Sequence, residues 1–157
     1  MTTFERRSRI HAPASRVFAF HEAPDALERL TPPWEPSRVI AKKPGLEVGA
    51  WVELETRVGP VPVRIRAVHT AYEPGRMFRD RMERGPFASW EHTHTVEPDG
   101  PEHCWLIDHI DYELPLGPLG ALAGGWMVRR RLDRMFDHRH EVTRRACESG
   151  QNQDQLG

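Results

Sequence analysis

The sequence predicts an α+β domain: an antiparallel sheet of about seven strands, two short helices after the first strand, and one long helix towards the C-terminus. Three observations carry this. From Ser37 to Leu114, short runs of alternating apolar and polar residues follow one another, divided by Gly and Pro. From Pro118 to about Glu148 the apolar spacing changes to the period of a helix. Before both, a single alternating run gives way to two brief helical patterns.

The elements follow in order. Phe4, Arg6, Ser8 and Ile10 alternate with Glu5, Arg7, Arg9 and His11, as expected of a strand with one buried side. Ala12-Pro13-Ala14-Ser15 opens a helix, because proline is preorganised for a first turn, and Val17, Phe18 and Phe20 give it an apolar face. Asp25 to Leu30 forms a second short helix with Leu27 and Leu30 on one side, stopped by Thr31-Pro32-Pro33. Strands are then expected at Val39–Lys42, Trp51–Val58, Val61–His69, Arg76–Arg84, Ala88–Glu97 and Glu102–Leu114, joined as a meander. The last helix spans about 28 residues, or ~40 Å, with Val128, Leu132, Met135, Phe136, Val142 and Ala146 near one face. One domain is expected over residues 1–148, followed by a flexible tail over 149–157.

Bulk properties narrow the function classes. The 157 residues carry 22 Lys and Arg against 23 Asp and Glu, so no global field recommends nucleic acid as a partner. The run Arg129-Arg130-Arg131 is interspersed with Asp133, Asp137, Glu141 and Glu148 and reads as a solvated helix face. Cys104 and Cys147 belong to no zinc spacing and read as free thiols in a reducing cytoplasm. The longest weakly polar run, Gly117 to Val128, falls short of the ~20 residues of a membrane span. A cytoplasmic protein with no membrane span is therefore expected.

The segment from Phe78 to Pro118 holds the candidate site. On the strand Ser89–Val96, alternation places Trp90, His92, His94 and Val96 on one face and Glu91, Thr93 and Thr95 on the other. Aromatic, imidazole and aliphatic groups on one face suit the wall of a ligand cavity. Phe78, Asp80 and Met82 share a face of the preceding strand, and Asp108, Ile110 and Tyr112 a face of the following one. Trp90 beside His92 is the aromatic expected to touch a ligand. Trp126, after Gly124-Gly125, is placed at a pocket entrance, with the two glycines expected to interrupt the helix. His92 and His94 are candidates for acid and base, oriented by Asp80, Asp108 or Tyr112. The same pair with Asp80 or Asp108 has the donor types for a metal, but the spacing supplies no full ligand set, and no metal or cofactor is expected.

Several stretches carry a family resemblance. They are Ile10-His11-Ala12-Pro13-Ala14 with Val17-Phe18-Ala19-Phe20-His21, Leu30-Thr31-Pro32-Pro33, Gly85-Pro86-Phe87, Trp90-Glu91-His92-Thr93-His94, and Asp108–Pro115 followed by Gly117-Pro118-Leu119-Gly120. In this ordered set the chain resembles the START-like superfamily, also called SRPBCC, most closely its bacterial cyclase/dehydrase-like branch. The resemblance spans about residues 3 to 148. It implies a helix-grip fold, in which a curved antiparallel sheet wraps the C-terminal helix and leaves a cavity between them. Two functions stay open on this basis. One is binding of a hydrophobic small molecule, such as a lipid, isoprenoid or polyketide-like compound, at Phe78, Asp80, Met82, Trp90, His92, His94, Asp108, Tyr112 and Trp126. The other is a polyketide aromatase, cyclase or dehydratase with His92 and His94 as the catalytic groups.

Overall fold

The structure is a computed structural model that describes residues 1–149. Beyond Ser149, the expected tail lies outside the described residues. The element order is β1 (Thr2–Ile10), α1 (Ala14–Glu22), α2 (Ala26–Leu30), β2 (Arg38–Lys43), β3 (Trp51–Val58), β4 (Val61–Glu73), β5 (Met77–Arg84), β6 (Ser89–Pro98), β7 (Cys104–Glu113) and α3 (Gly117–Glu148). All seven strands join one antiparallel sheet in the order β1-β7-β6-β5-β4-β3-β2. The sheet curves, and α3 lies along its inner face, as in a helix-grip fold.

Six strands follow one another as neighbours because short turns and loops join them; at the β4–β5 turn Gly75 takes φ 76°, a conformation open to glycine. β1 departs from this order. It pairs with β7 from Thr2↔Tyr112 to Ile10↔Cys104, so α1 and α2 must carry the chain from one sheet edge to the other. β4 runs four residues past the expected His69, to Glu73. Register shifts at Arg66/Ala67 and His69/Ala71 break its alternation, and the apolar pattern loses its period there.

Two apolar clusters make the core. Ile10, Val17, Phe18, Phe78, Val96, Leu106 and Cys147 form one, and Phe4, Ile110, Tyr112, Leu132 and Phe136 the other. Between them runs a polar layer. The inward face of β7 reads Cys104, Leu106, Asp108, Ile110, Tyr112, so a buried carboxylate interrupts an apolar stripe. On α3 the buried stripe is Leu132, Phe136, His140, Thr143 and Cys147. This corrects the expected face, since Val142 and Ala146 are only half-buried. The 3.6-residue period takes the stripe from Phe136 through His140, one turn on, rather than through the apolar residues nearby.

The helix does not break at Gly124-Gly125; it runs unbroken from Gly117 to Glu148. Glycine weakens a helix by about 1 kcal/mol without ending it, and neither residue adopts a positive φ.

Candidate functional site

β5, β6 and β7 lie side by side, and their registers assemble the site. His92 stands opposite Asp80 on β5, and His94 opposite Phe78 on β5 and Asp108 on β7. Opposed residues on one face of antiparallel strands approach within side-chain contact. Asp108 Oδ1 accepts a hydrogen bond from His92 Nε2 at 2.7 Å and lies 2.8 Å from His94 Nδ1 as an ion-pair contact. Its other oxygen, Oδ2, accepts one from His140 Nε2 of α3 at 2.7 Å. His140 Nδ1 meets Ser8 Oγ of β1 at 2.7 Å, while His94 Nε2 donates to Asp80 Oδ2 at 3.2 Å. The imidazoles of His92 and His94 lie 3.7 Å apart between centroids, and Phe78 stacks on His94 at 4.0 Å and 12°.

Geometry fixes much of the protonation. Each ring nitrogen of His94 lies within 3.2 Å of a carboxylate oxygen, an environment that favours the imidazolium. Burial alone would push His94 down, but the Asp108 carboxylate and then Asp80 outweigh it and raise the pKa from 6.5 to about 8. His92 moves the other way, because burial and the neighbouring His94 charge outweigh its bond to Asp108. Burial would raise both aspartates, yet the cationic His94 and the imidazole hydrogen bonds hold Asp108 well below the usual carboxylate range and lower Asp80 too. A neutral His92 thus donates from Nε2 and keeps a lone pair on Nδ1, 4.0 Å from Asp80 Oδ2.

Asp80, His92 and His94 of this cluster line a cavity of about 620 Å³ between the sheet, α2 and α3. Its walls are mainly apolar, with Leu27 and Leu30 from α2, Leu54 and Ile65 from β3 and β4, and Val128 and Leu132 from α3. Of the expected site residues, Phe78, Asp80, Met82, Trp90, His92 and His94 line it. Asp108 and Tyr112 do not: Asp108 sits behind the two histidines, and Tyr112 packs edge-on against Phe87 and beside Trp90. Trp126 is a correction, since it points outward into solvent instead of framing the cavity. The cavity face of α3 is set by Gly124, Met127, Val128 and Arg131, and a residue two on from Gly124 points about 200° away from it.

Sequence reasoning missed four neighbours. His140 and Ser8 complete the network, and a strict i, i+4 step from Leu132 through Phe136 would have found His140. His21 lines the cavity; burial lowers its pKa to about 4, and its Nδ1 donates to Val17 O at 2.9 Å. Arg139 also lines the cavity, its guanidinium over the Phe136 ring and its Nε without a partner among the described residues.

Asp80, His92 and His94 bring three donor atoms within 4.8 Å of one another and are the residues that would hold a divalent ion. On the Asp80 side the donor separations are 3.2 and 4.0 Å, whereas ligands ~2.1 Å from a common ion stand ~3 to 3.5 Å apart. An ion there would have to replace the Nε2 proton that His94 now donates towards Asp80.

Residues 1–142 match the family described as polyketide cyclase / dehydrase and lipid transport. Among solved structures, the fold is shared with the Zhui aromatase/cyclase from Streptomyces sp. R1128, at 13% identity and a TM-score of 0.74 over 94% of this chain and 93% of that one. It is also shared with a START superfamily protein from Mycobacterium smegmatis, at 13% identity and a TM-score of 0.65 over 94% and 97%. A third is norcoclaurine synthase from Thalictrum flavum in complex with dopamine and hydroxybenzaldehyde, at 16% identity and a TM-score of 0.68 over 94% and 87%. No curated protein sequence matches significantly. With a match over most of its length and the strand order, curved sheet and long helix of the fold, the chain belongs to the polyketide cyclase / dehydrase and lipid transport family of the START-like superfamily.

Proposed function

We propose that the protein encloses a hydrophobic small molecule, of lipid, isoprenoid or polyketide-like class, in the cavity between sheet and α3. The observation that carries this is the cavity itself: about 620 Å³ of mainly apolar wall with Asp80, His92 and His94 in its lining. At ~30 Å³ per water it would hold about 20 waters with few partners on its walls, and an apolar ligand that displaces them is favoured. The polar end of such a ligand would meet Asp80, His92 and His94, while Trp90 and Met82 contact its body. Native mass spectrometry of freshly purified protein, compared with its denatured mass, should show a bound apolar molecule that extraction identifies. A protein that carries none and takes up no apolar fluorophore saturably overturns this reading.

One observation favours a second, catalytic reading. Asp108 holds His92 in the Nε2–H tautomer, which leaves Nδ1 as a base beside a cationic His94. Neighbouring groups pushed to opposite protonation states form an acid–base pair. In dehydration of a β-hydroxy carbonyl compound, His92 Nδ1 would take the α-proton. The C=C bond then forms, the C–O bond breaks, and His94 protonates the departing hydroxide to water. His92→Ala and His94→Ala should each abolish turnover of a β-hydroxy thioester with cavity binding retained. An unchanged product profile in the double variant removes the catalytic reading and leaves the binding one intact.

A further inference from the structure

From Leu114 to Val128 the only side-chain polar group is the Trp126 indole N–H, yet the first turns of α3 are not packed away. Leu116 is 82% exposed, Leu119 73%, Leu122 85% and Trp126 65%. An apolar helix segment is ordinarily covered, and a contiguous exposed one marks an interaction surface. Leu116 holds φ 67° and ψ 15°, a left-handed conformation disfavoured for a residue with a Cβ, with its side chain standing in solvent.

Two features say what covers this surface. Its other face, Gly120, Gly124 and Val128, is cavity wall, with Met127, 57% exposed, at the seam, so exposed apolar surface and ligand cavity are two sides of one segment. The β3–β4 turn borders it: Arg131 Nη1 donates to Arg57 O at 3.4 Å, and Val58 and Val61 beside that contact are exposed, with Val58 also lining the cavity. Basic side chains follow at once. Arg131 is held by Glu35 at 2.7 Å and Arg129 pairs with Asp133 at 3.6 Å, whereas Arg130 has no acidic partner among the described residues.

We propose that the first turns of α3 and the β3–β4 turn dock onto a lipid bilayer bearing anionic headgroups. Leu119, Leu122 and Trp126 enter the headgroup–acyl boundary, with Arg129 and Arg130 at the level of the phosphates. An indole at the junction of apolar and basic surface suits that boundary. The 12 residues from Leu116 to Met127 fit a helix lying in the interface and are too few to cross it. A bilayer also asks for few directional hydrogen bonds, and the one side-chain donor of this segment, the Trp126 indole N–H, can meet the headgroups. Resting on the cavity as the site of an apolar ligand, the docking gives that ligand a route from membrane to cavity without passage through water.

The test is flotation with phosphatidylcholine vesicles, with and without phosphatidylglycerol. The wild type should float with the anionic vesicles, and Leu119→Glu with Leu122→Glu should weaken this at least about tenfold. Arg129→Gln with Arg130→Gln should remove the preference for anionic over neutral vesicles. Uptake of an apolar fluorophore without vesicles should survive both double changes, since none of these four residues lines the cavity. Loss of fluorophore uptake in the wild type counts against the cavity reading, not against docking. Docking is overturned if the wild type floats with neither vesicle, or if the glutamate variant floats equally well. It is also overturned if light scattering shows a dimer that Leu122→Glu dissociates, for then a second copy covers the face.

Discussion

His140 on α3 donates to Asp108 on β7 at 2.7 Å, which places a buried polar contact where helix and sheet pack. Asp108 also accepts a hydrogen bond from His92 and stands 2.8 Å from His94 Nδ1, so one carboxylate serves three imidazoles with its two oxygens. Buried charge at that density is tolerated only where every donor has its acceptor.

Asp108→Asn keeps the shape but turns an NH₂ towards imidazole N–H groups and removes the charge that holds His94 protonated. Breaking a buried charge network in this way costs about 3 kcal/mol. Urea denaturation should show the loss, with an unchanged slope. A variant within about 0.5 kcal/mol of wild type would mean that the network adds nothing net to the fold.

Stability should peak near pH 6.5 and fall on both sides. The raised pKa of His94, about 8 against 6.5 unfolded, contributes fully below 6.5, and that contribution is lost as pH rises through 8. The lowered pKa of His21, about 4, and that of His92 act oppositely: their contribution is complete above 6.5 and lost as pH falls, for His21 down to about 4. Asp80 and Asp108, both lowered, add a further loss below their unfolded value of 3.8. His94→Gln should flatten the alkaline limb and leave the acid limb in place. Denaturation midpoints from about pH 5 to about 9 check this, and an alkaline limb that survives the change assigns it to other groups.

The fold was legible because several strands keep an apolar–polar alternation, as in β3, where Val52, Leu54 and Val58 alternate with Glu53, Glu55 and Arg57. The shared face of Trp90, His92, His94 and Val96 follows from that period alone. Register was not legible. That His92 faces Asp80 while His94 faces Asp108 depends on the lengths of the β5–β6 and β6–β7 connections, which no local pattern reports. His140 was hidden for a different reason: it takes a core position on α3 with a polar side chain, which a search for apolar spacing passes over. Trp126 was placed at a pocket entrance from its position after two glycines, whereas the unbroken helix turns it to solvent, away from the cavity lining.

Ala67 on β4 lines the cavity opposite Met82 on β5. Ala67→Phe therefore adds an aromatic ring into open volume and not into packed core. Filling should leave stability unchanged or raise it by up to about 1 kcal/mol. Uptake of the apolar ligand should weaken at least about tenfold by lost volume. Fluorophore titration and thermal unfolding together read both effects, and a stable variant with unchanged uptake would place the ligand elsewhere.

Gly120 and Gly125 lie in one helix, and replacing each with alanine should act in opposite directions. A Cβ at Gly120 would collide with the carbonyl oxygen of Pro115, where the β7–α3 connection passes against the helix. That oxygen is backbone and cannot swing aside, so Gly120→Ala should lower stability by about 2 kcal/mol or unwind the first turn. At Gly125 a Cβ meets nothing within 4 Å, and the helix continues on both sides. Gly125→Ala should then raise stability by up to about 1 kcal/mol, because alanine gives up less backbone freedom on entering a helix. Thermal unfolding of the two variants decides it: a loss at Gly125 would show that the site needs glycine for movement or close contact after all.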